Sequence, residues 1–363
     1  MQLTSKIHEA DDFVAVQELF HSHGWTDGLP IVPPTADAVS ACLEWGMLAP
    51  DQLIGVEPVR DRPITAEKLA INAVMAGCLP MHFPVVVAAV TAMLQPEFLL
   101  HGATTSTGGC AILLVINGPI RLELNTSPTF NALGSSDRAT MVIGRALRLI
   151  LINVLDVKPG GIDRSTLGHP GKISYCLAED EENSPFKPLH VDLGFAEEDS
   201  VVTVIGAEAP HSVIFSGDGD DPDSYKYLLN ILAVGLANAA TNNATLTSGS
   251  AVVVLNPDHA NLLAASGLDR QLIAEELYNR CKIDTEELRR LVPNFAGGQE
   301  ATGDRYAFTG PEQILILVAG GGGLYSMVMP SWCAGAHKNS PSSVVVESEF
   351  VCEVPGLAAL TES

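Results

Sequence analysis

Thr104-Thr105-Ser106-Thr107-Gly108-Gly109-Cys110, running on through Ala111-Ile112-Leu113-Leu114-Val115-Ile116 to Asn117-Gly118-Pro119, is the stretch on which the reading of this chain turns. Four hydroxyl residues and two glycines precede an apolar run, and a turn signal closes it. A run that apolar, bounded by glycine on both sides, suits a strand buried on both faces. The hydroxyls then sit at the strand mouth, where side chains and free backbone N–H groups can meet a ligand. Taken alone, the stretch reads equally well as a core strand behind a polar loop.

The same pattern returns further on. Thr245-Leu246-Thr247-Ser248-Gly249 leads into an apolar run over 251–255 and then Asn256-Pro257. Three more segments recur in the same order. Ile54-Gly55-Val56-Glu57 returns as Ile205-Gly206-Ala207-Glu208. Lys68-Leu69-Ala70-Ile71-Asn72 with Gly77 returns around Leu228-Leu229-Asn230 and Gly235. Asp137-Arg138 and Asp269-Arg270 each stand at a helix start. Ordered repetition of this kind implies repeated supersecondary units. The expected fold class is α/β, with two internally duplicated α/β lobes and mixed sheets around an inter-lobe cleft. The expected divisions are an N-terminal helix and Pro-rich arm at 1–50, a first lobe at 51–160, an inter-lobe loop segment at 161–200, and a second lobe with C-terminal strand and tail at 201–363.

Within that frame, residues 9–24 show a helical apolar face (Phe13, Val16, Leu19, Phe20), and Thr35 opens a second helix. Between them, 25–35 is too rich in proline for a helix or central strand, and reads as a stiff arm carrying Asp27. Residues 314–319 read as a third strand, ending in four glycines, and 343–346 as an edge strand. The segment between the lobes is too long for a simple connector, and its embedded Tyr175, Cys176 and Phe186 mark it as ordered.

Composition narrows the function. The 363 residues carry 43 acidic against 20 basic side chains, a formal charge of −23. That opposes binding to nucleic acid or to an anionic membrane. No secretory pattern opens the chain and no apolar stretch is long enough to span a bilayer. Seven cysteines without a C-x-x-C pair fit free thiols in a reducing cytoplasm. With 47% hydrophobic and 17% charged residues, a homo-oligomer is expected.

Few motifs carry chemistry outright. The run Gly320–Gly323 lacks dinucleotide spacing, no phosphate-binding G-x-x-x-x-G-K-[ST] occurs, and no H-E-x-x-H or paired histidine spacing marks a metal. Cys78 and Cys110 are peculiar to the first lobe, and a thiolate activated by a helix end or a nearby cation acts as nucleophile or redox centre. Cys176, close to Lys172, is a third such thiol. Each is equally readable as a small buried hydrophobe. His169 and His190 flank the acidic stretch 179–182, a source of acid–base groups or a solvated loop. Arg138 and Arg145 share a helix face.

Several of these segments together resemble an uncharacterised bacterial family commonly encoded beside UGSC-motif selenoproteins or their cysteine forms. The matching residues are Asp27-Gly28-Leu29-Pro30-Ile31-Val32-Pro33-Pro34-Thr35, KLAINAVMAGC at 68–78, Thr104-Thr105, VINGPIR at 115–121, IGRALRL at 143–149, Pro170-Gly171-Lys172 with Cys176, and the stretch from Ala178-Glu179 to His190-Val191. His169 and Thr107-Gly108-Gly109 depart from the family pattern, which points to a different substrate. The resemblance implies thiol-dependent redox or carbon–heteroatom bond chemistry on a small molecule, with a separate UGSC-type selenoprotein or thiol protein as partner.

The expectation is therefore an enzyme, an oxidoreductase or lyase, working at the inter-lobe cleft. Cys78 or Cys110 is its reactive thiol. Thr104, Thr105 and Asn117 hold the polar end of the substrate, Arg138 or Lys172 neutralises its charge, and Asp27 and Cys176 complete the site. The sequence specifies no cofactor and no metal. The rivals are a non-catalytic binding or scaffold subunit for a UGSC-type partner, and a metal-dependent lyase or hydrolase using the inter-lobe loop.

Overall fold

The computed structural model describes residues 2–217, 220–239, 241–247, 249–294, 301–334 and 337–347. Ser248 of the repeat lies outside them.

Eight strands make two four-stranded mixed sheets: β1 (Ala111–Asn117), β2 (Cys176–Ala178), β3 (Val201–Ala207), β4 (His211–Ile214), β5 (Ala251–Leu255), β6 (Ile314–Val318), β7 (Tyr325–Pro330) and β8 (Ser342–Val345). The first sheet has the order β8-β3-β1-β2 and the second β6-β5-β7-β4. In the first, β1 pairs in parallel with β2 and antiparallel with β3, in the register Ala111↔Ala207 to Asn117↔Val201. In the second, β5 pairs in parallel with β6 and antiparallel with β7. Each sheet ends on an antiparallel edge strand, β8 beside β3 and β4 beside β7. The two sheets thus share one pairing order. Their edge strands are exchanged: β4 follows β3 in the chain but joins the second sheet, and β8 follows β7 but joins the first.

The division expected at residue 200 does not follow these sheets. Val201–Ala207 completes the first sheet, and so does the C-terminal strand. Ile54–Glu57, its presumed counterpart, lies in a separate hairpin of Leu53–Glu57 with Arg62–Thr65. The other repeated segments do hold like positions. Short helices, α5 (Leu100–Thr105) and Asn242–Leu246, lead into β1 and β5. Asp137 and Asp269 cap helices α6 (Arg138–Asn153) and α9 (Arg270–Arg280), accepting from the amides of Thr140 and Leu272.

The strands are apolar on both faces because both faces are covered. Leu113, Val115, Leu177 and Ile205 meet Val252, Val254, Leu315, Leu317 and Met329 of the other sheet in one buried cluster. On its far side the first sheet turns Leu114, Ile116, Val202 and Val204 towards α2 (Ala36–Trp45), α3 (Ala66–Ala76), α4 (Phe83–Met93) and α6. The second turns Val253, Leu255, Ile316 and Val328 towards α7 (Ser224–Leu236), α8 (Pro257–Ala265) and α9. The result is four layers, helix–sheet–sheet–helix. The plane between the two sheets is a packed apolar core, where the sequence had suggested a cleft. Backbone bonds tie the sheets together at their margins, from Asp180 to Val318, Glu208 to Pro330 and Trp332 to Gly206. Trp332 closes the space near the first strand mouth, against Gly102, where a Cβ would come within 2.4 Å of the indole.

The N-terminal part wraps the first helical layer. α1 (Phe13–Ser22) buries none of its residues fully, and only Val16 and Phe20 touch the core. No single helix among the described residues is long and apolar enough to cross a membrane.

Candidate functional site

The site forms where α5, the start of β1, α6 and the loop 157–172 converge. Its walls are Ala103 and Thr104 from α5, Cys110 and Ile112 at the mouth of β1, Leu147, Arg148 and Leu151 from α6, and Val157, Asp163 and Lys172 from the loop. The cavity they enclose is small, about 30 Å³, and opens to solvent.

Close backbone packing shapes it. A Cβ on Gly144 would lie 2.4 Å from Ser174 Oγ and 2.9 Å from the Tyr175 amide, so only glycine lets the 170–176 segment lie directly on α6. A Cβ on Gly109 would come within 3.2 Å of the Gly168 backbone. Thr166 donates to Thr107 O, and Ser165 Oγ to Gly108 O, so the loop is strapped across the hydroxyl stretch. His169 pins its far end, with Nδ1 accepting from Gly171 N and Nε2 donating to Ala207 O; burial lowers its pKa and keeps the ring neutral.

Charge is concentrated along one line. Lys172 Nζ donates to both oxygens of Asp163 (2.9 and 2.8 Å) and to Ser165 Oγ (2.7 Å). Burial pushes the Asp163 carboxyl up, but the bonds from Lys172 and Ser165 outweigh it and hold the group below the usual carboxylate range. Arg148 approaches Asp163 from the other side, at 3.5 Å. Asp27 adds a second, more distant negative charge, and the Arg148 side chain is 12% exposed. Burial lowers the Arg148 pKa, and the carboxylates of Asp163 and Asp27 act against it. One turn back on α6, Arg145 is clamped bidentately by Asp27 (2.8 and 2.9 Å) and donates to Pro30 O. Three cations face two carboxylates here, in a chain whose formal charge is −23.

The residues expected from sequence divide accordingly. Thr104, Cys110 and Lys172 come together in the pocket, and Asp27 lies beside it through Arg145. Thr104 and Thr105 are the last turn of α5 rather than a loop, and both hydroxyls donate back to their own helix, at Leu100 O and His101 O. Asn117 is at the opposite end of β1, about 20 Å away at the rise of a strand; its amide donates to Glu179 (2.5 Å) and Glu181 (2.9 Å). Arg138 is exposed and donates to Gly77 O, finishing the left-handed end of α3. Asn117 and Arg138 therefore do not share a ligand with Thr104.

The thiols are all in protecting surroundings. Cys78 and Cys176 are buried in the helix-side core, away from the pocket lining, and burial raises both far above the ordinary thiol value. Cys110 does line the pocket, with Sγ 3.1 Å from Ala103 O. Burial pushes it up to about 12; Lys172 pulls the other way, while Glu208 and Asp163 push further up. No helix end or unshared cation activates it.

The acidic stretch is not a solvated loop. Glu179 and Asp180 are fully buried, Arg121 spans Glu181 and Glu182, and Arg270 reaches from α9 to Glu179 (2.7 Å) and Asp192. Burial nonetheless raises the Glu179 pKa. His190 is buried beside Glu181. Among the described residues, no three His, Cys, Asp or Glu side chains converge to hold a metal.

Arg148, Asp163 and Ser165 are the site residues that the sequence did not single out. The signal for Arg148 was its spacing of three from Arg145 within IGRALRL, which puts both on one helix face. No signal marked Asp163. Comparison with models of protein families and with curated protein sequences finds no match.

Proposed function

We propose that this chain is an enzyme acting on a small organic anion, held with its charged end on Arg148 and Lys172 in the pocket beside Cys110. The observation that carries this is the guanidinium of Arg148, 12% exposed at the pocket, whose closest ion pair is a long 3.5 Å contact with Asp163. A planar fork in that state is suited to a carboxylate, whose bidentate bonds are stronger and more directional than the contact it has. Lys172, its three N–H donors taken by Asp163 and Ser165, adds a second positive charge at the same place. Carbon–heteroatom bond chemistry assisted by this positive charge fits the arrangement better than attack by a thiolate of Cys110, which burial keeps protonated at neutral pH.

A second reading has its own support. Cys42, Cys78, Cys110, Cys176 and Cys281 are all buried thiols outside any disulfide. A thiol-dependent redox reaction would then draw its reactive sulfur or selenium from a separate UGSC-type partner, with this chain holding the substrate. We further propose that the halves arose by duplication, supported by their like pairing order, and that the protein works as a cytoplasmic homo-oligomer.

Isothermal titration with small carboxylates tests the main reading. Lys172→Met is expected to weaken binding at least tenfold, because it removes a positive charge and leaves the Asp163 carboxylate to repel the anion. Unchanged affinity in a folded variant would remove Lys172 from the site. Turnover by the purified chain alone would remove the partner reading.

A further inference from the structure

β2, β4, β6 and β8 stand at the edges of the two main sheets, and one of them differs from the rest. β2 and β6 are buried along their whole length, and β8 is exposed only at its last residue, Val345. β4 exposes His211, Ser212 and Ile214 and buries only Val213. Phe215 N donates to Leu324 O of the neighbouring chain segment, so by alternation Val213 and His211 also bond inward, to β7. The N–H and C=O groups of Ser212 and Ile214 then point outward, past the edge of the sheet. Soluble proteins usually guard such an edge with lysine, proline or a bulge. Residues 211–214 hold none of these.

Helix α7 continues the same surface. It rests on β4 and β7 at Gly235, where a Cβ would come within 2.9 Å of Val328 and 3.2 Å of Val213. On its inner flank it meets α9, which covers β6 at the far edge of the sheet, and Ala233 O accepts from Cys281 there. The flank turned away from α9 carries Tyr227, Ile231 and Val234, at the spacing i, i+4, i+7 and 36–66% exposed. Ile214 and Tyr325, opposed in register on the other face of the sheet, are 53% and 57% exposed. The nearest cation on the helix, Lys226, is paired with Asp223 at 2.7 Å. In a chain of formal charge −23, an uncharged apolar surface of this kind marks a contact.

We infer that this surface is the two-fold interface of a homodimer, with β4 pairing antiparallel to β4 of a second copy and the α7 stripes packing over the join. The inference rests on the homo-oligomer reading above and names its contact. A two-fold axis at Val213 sets Ser212 against Ile214 of the second copy, so the outward groups of each strand satisfy those of the other. Strand and helix flank are thus self-complementary under one axis. Two chains that each carry −23 repel one another, and least where the contact holds no charge. Ile214, Tyr227, Ile231, Val234 and Tyr325, at roughly 100 Å² exposed apiece, offer about 500 Å² per copy. The strand backbone and the polar surface between them bring this towards the ~800 Å² that a stable interface takes from each partner.

Sedimentation velocity of the full chain over a wide range of concentration tests it, and a dimer is expected. Ser212→Pro removes an outward N–H while leaving the bonds between β4 and β7 in place, and Val234→Lys sets a charge in the apolar stripe. Each is expected to raise the dissociation constant of the dimer at least tenfold, with an unchanged far-UV spectrum. Leu122→Lys, at a position 67% exposed on another part of the surface, is expected to leave it unchanged. An assembly unmoved by either interface variant, or weakened as much by Leu122→Lys, overturns this interface and leaves the homo-oligomer reading standing. A monomer at every concentration overturns both. Where Ser212→Pro does not fold, Val234→Lys and Ile214→Lys, both at exposed positions, decide.

Discussion

At the scale of single residues, the same side-chain type means different things in different surroundings. Cys110 stands where a nucleophile would, at a strand mouth beside a lysine, yet Lys172 is already committed to Asp163 and Ser165. Its positive charge is shared before it reaches the sulfur, and burial decides the outcome. The sign follows: a thiol whose pKa rises from 9 to about 12 on folding adds stability below the unfolded value. That contribution is lost as pH rises from about 9 towards 12. Alkali is therefore expected to destabilise the native chain more than Cys110→Ala, seen as a steeper fall of melting temperature above pH 9. Alkylation at pH 7.5 followed by mass spectrometry is expected to leave Cys78, Cys110 and Cys176 unlabelled until denaturant is added. Rapid labelling of Cys110 in the folded protein would restore the thiol mechanism.

At the scale of elements, the loop 157–172 and the N-terminal arm depend on a few polar anchors rather than on regular structure. The arm crosses α3 and is fastened by Glu67, whose carboxylate accepts from the amides of Thr4 and Ser5 and from the Thr4 hydroxyl. Burial alone would raise the Glu67 pKa, but these bonds hold it at about 2. The stability they confer is present above the unfolded value of 4.5 and is lost as pH falls towards 2. Glu67→Ala is expected to cost about 2 kcal/mol, the range for hydrogen bonds to a charged group, and to expose the arm to limited proteolysis near Lys6. A variant with wild-type melting and an uncleaved arm would show that the aromatic packing around Trp25 holds it instead.

At the scale of the whole molecule, two sheets face each other across a packed apolar core and exchange their edge strands, so neither half is complete without the other. Arg270, from the second helical layer, pairs with Glu179 at the end of β2. Arg270→Met leaves that carboxylate buried without its partner, and a loss of about 3–5 kcal/mol is expected. Urea denaturation should show it as one cooperative transition moved to lower denaturant, because the inter-sheet cluster joins both halves. Two separate transitions would show that the halves fold independently.

Much of this architecture was legible in the amino-acid sequence. The strands at 111–117, 251–255 and 314–318 are apolar runs between turn signals, and the caps Thr35, Asp137 and Asp269 announce the helices that they start. Such features are set within a few residues, so local propensity and pattern reach them. Sheet membership is not local. Residues 201–207 read as the start of a second lobe because they echo 54–57, yet they pair with β1, some ninety residues earlier in the chain, and β2 is too short for a periodic signal. The site divides the same way. Sequence alone determined that Thr104, Cys110 and Lys172 were chemically able residues. Only the tertiary structure decided that Arg148 and Asp163 join them, that Asn117 and Arg138 do not, and that the thiol stays protonated. Burial and charge pairing depend on what folds back from elsewhere, and no short stretch of chain contains that information.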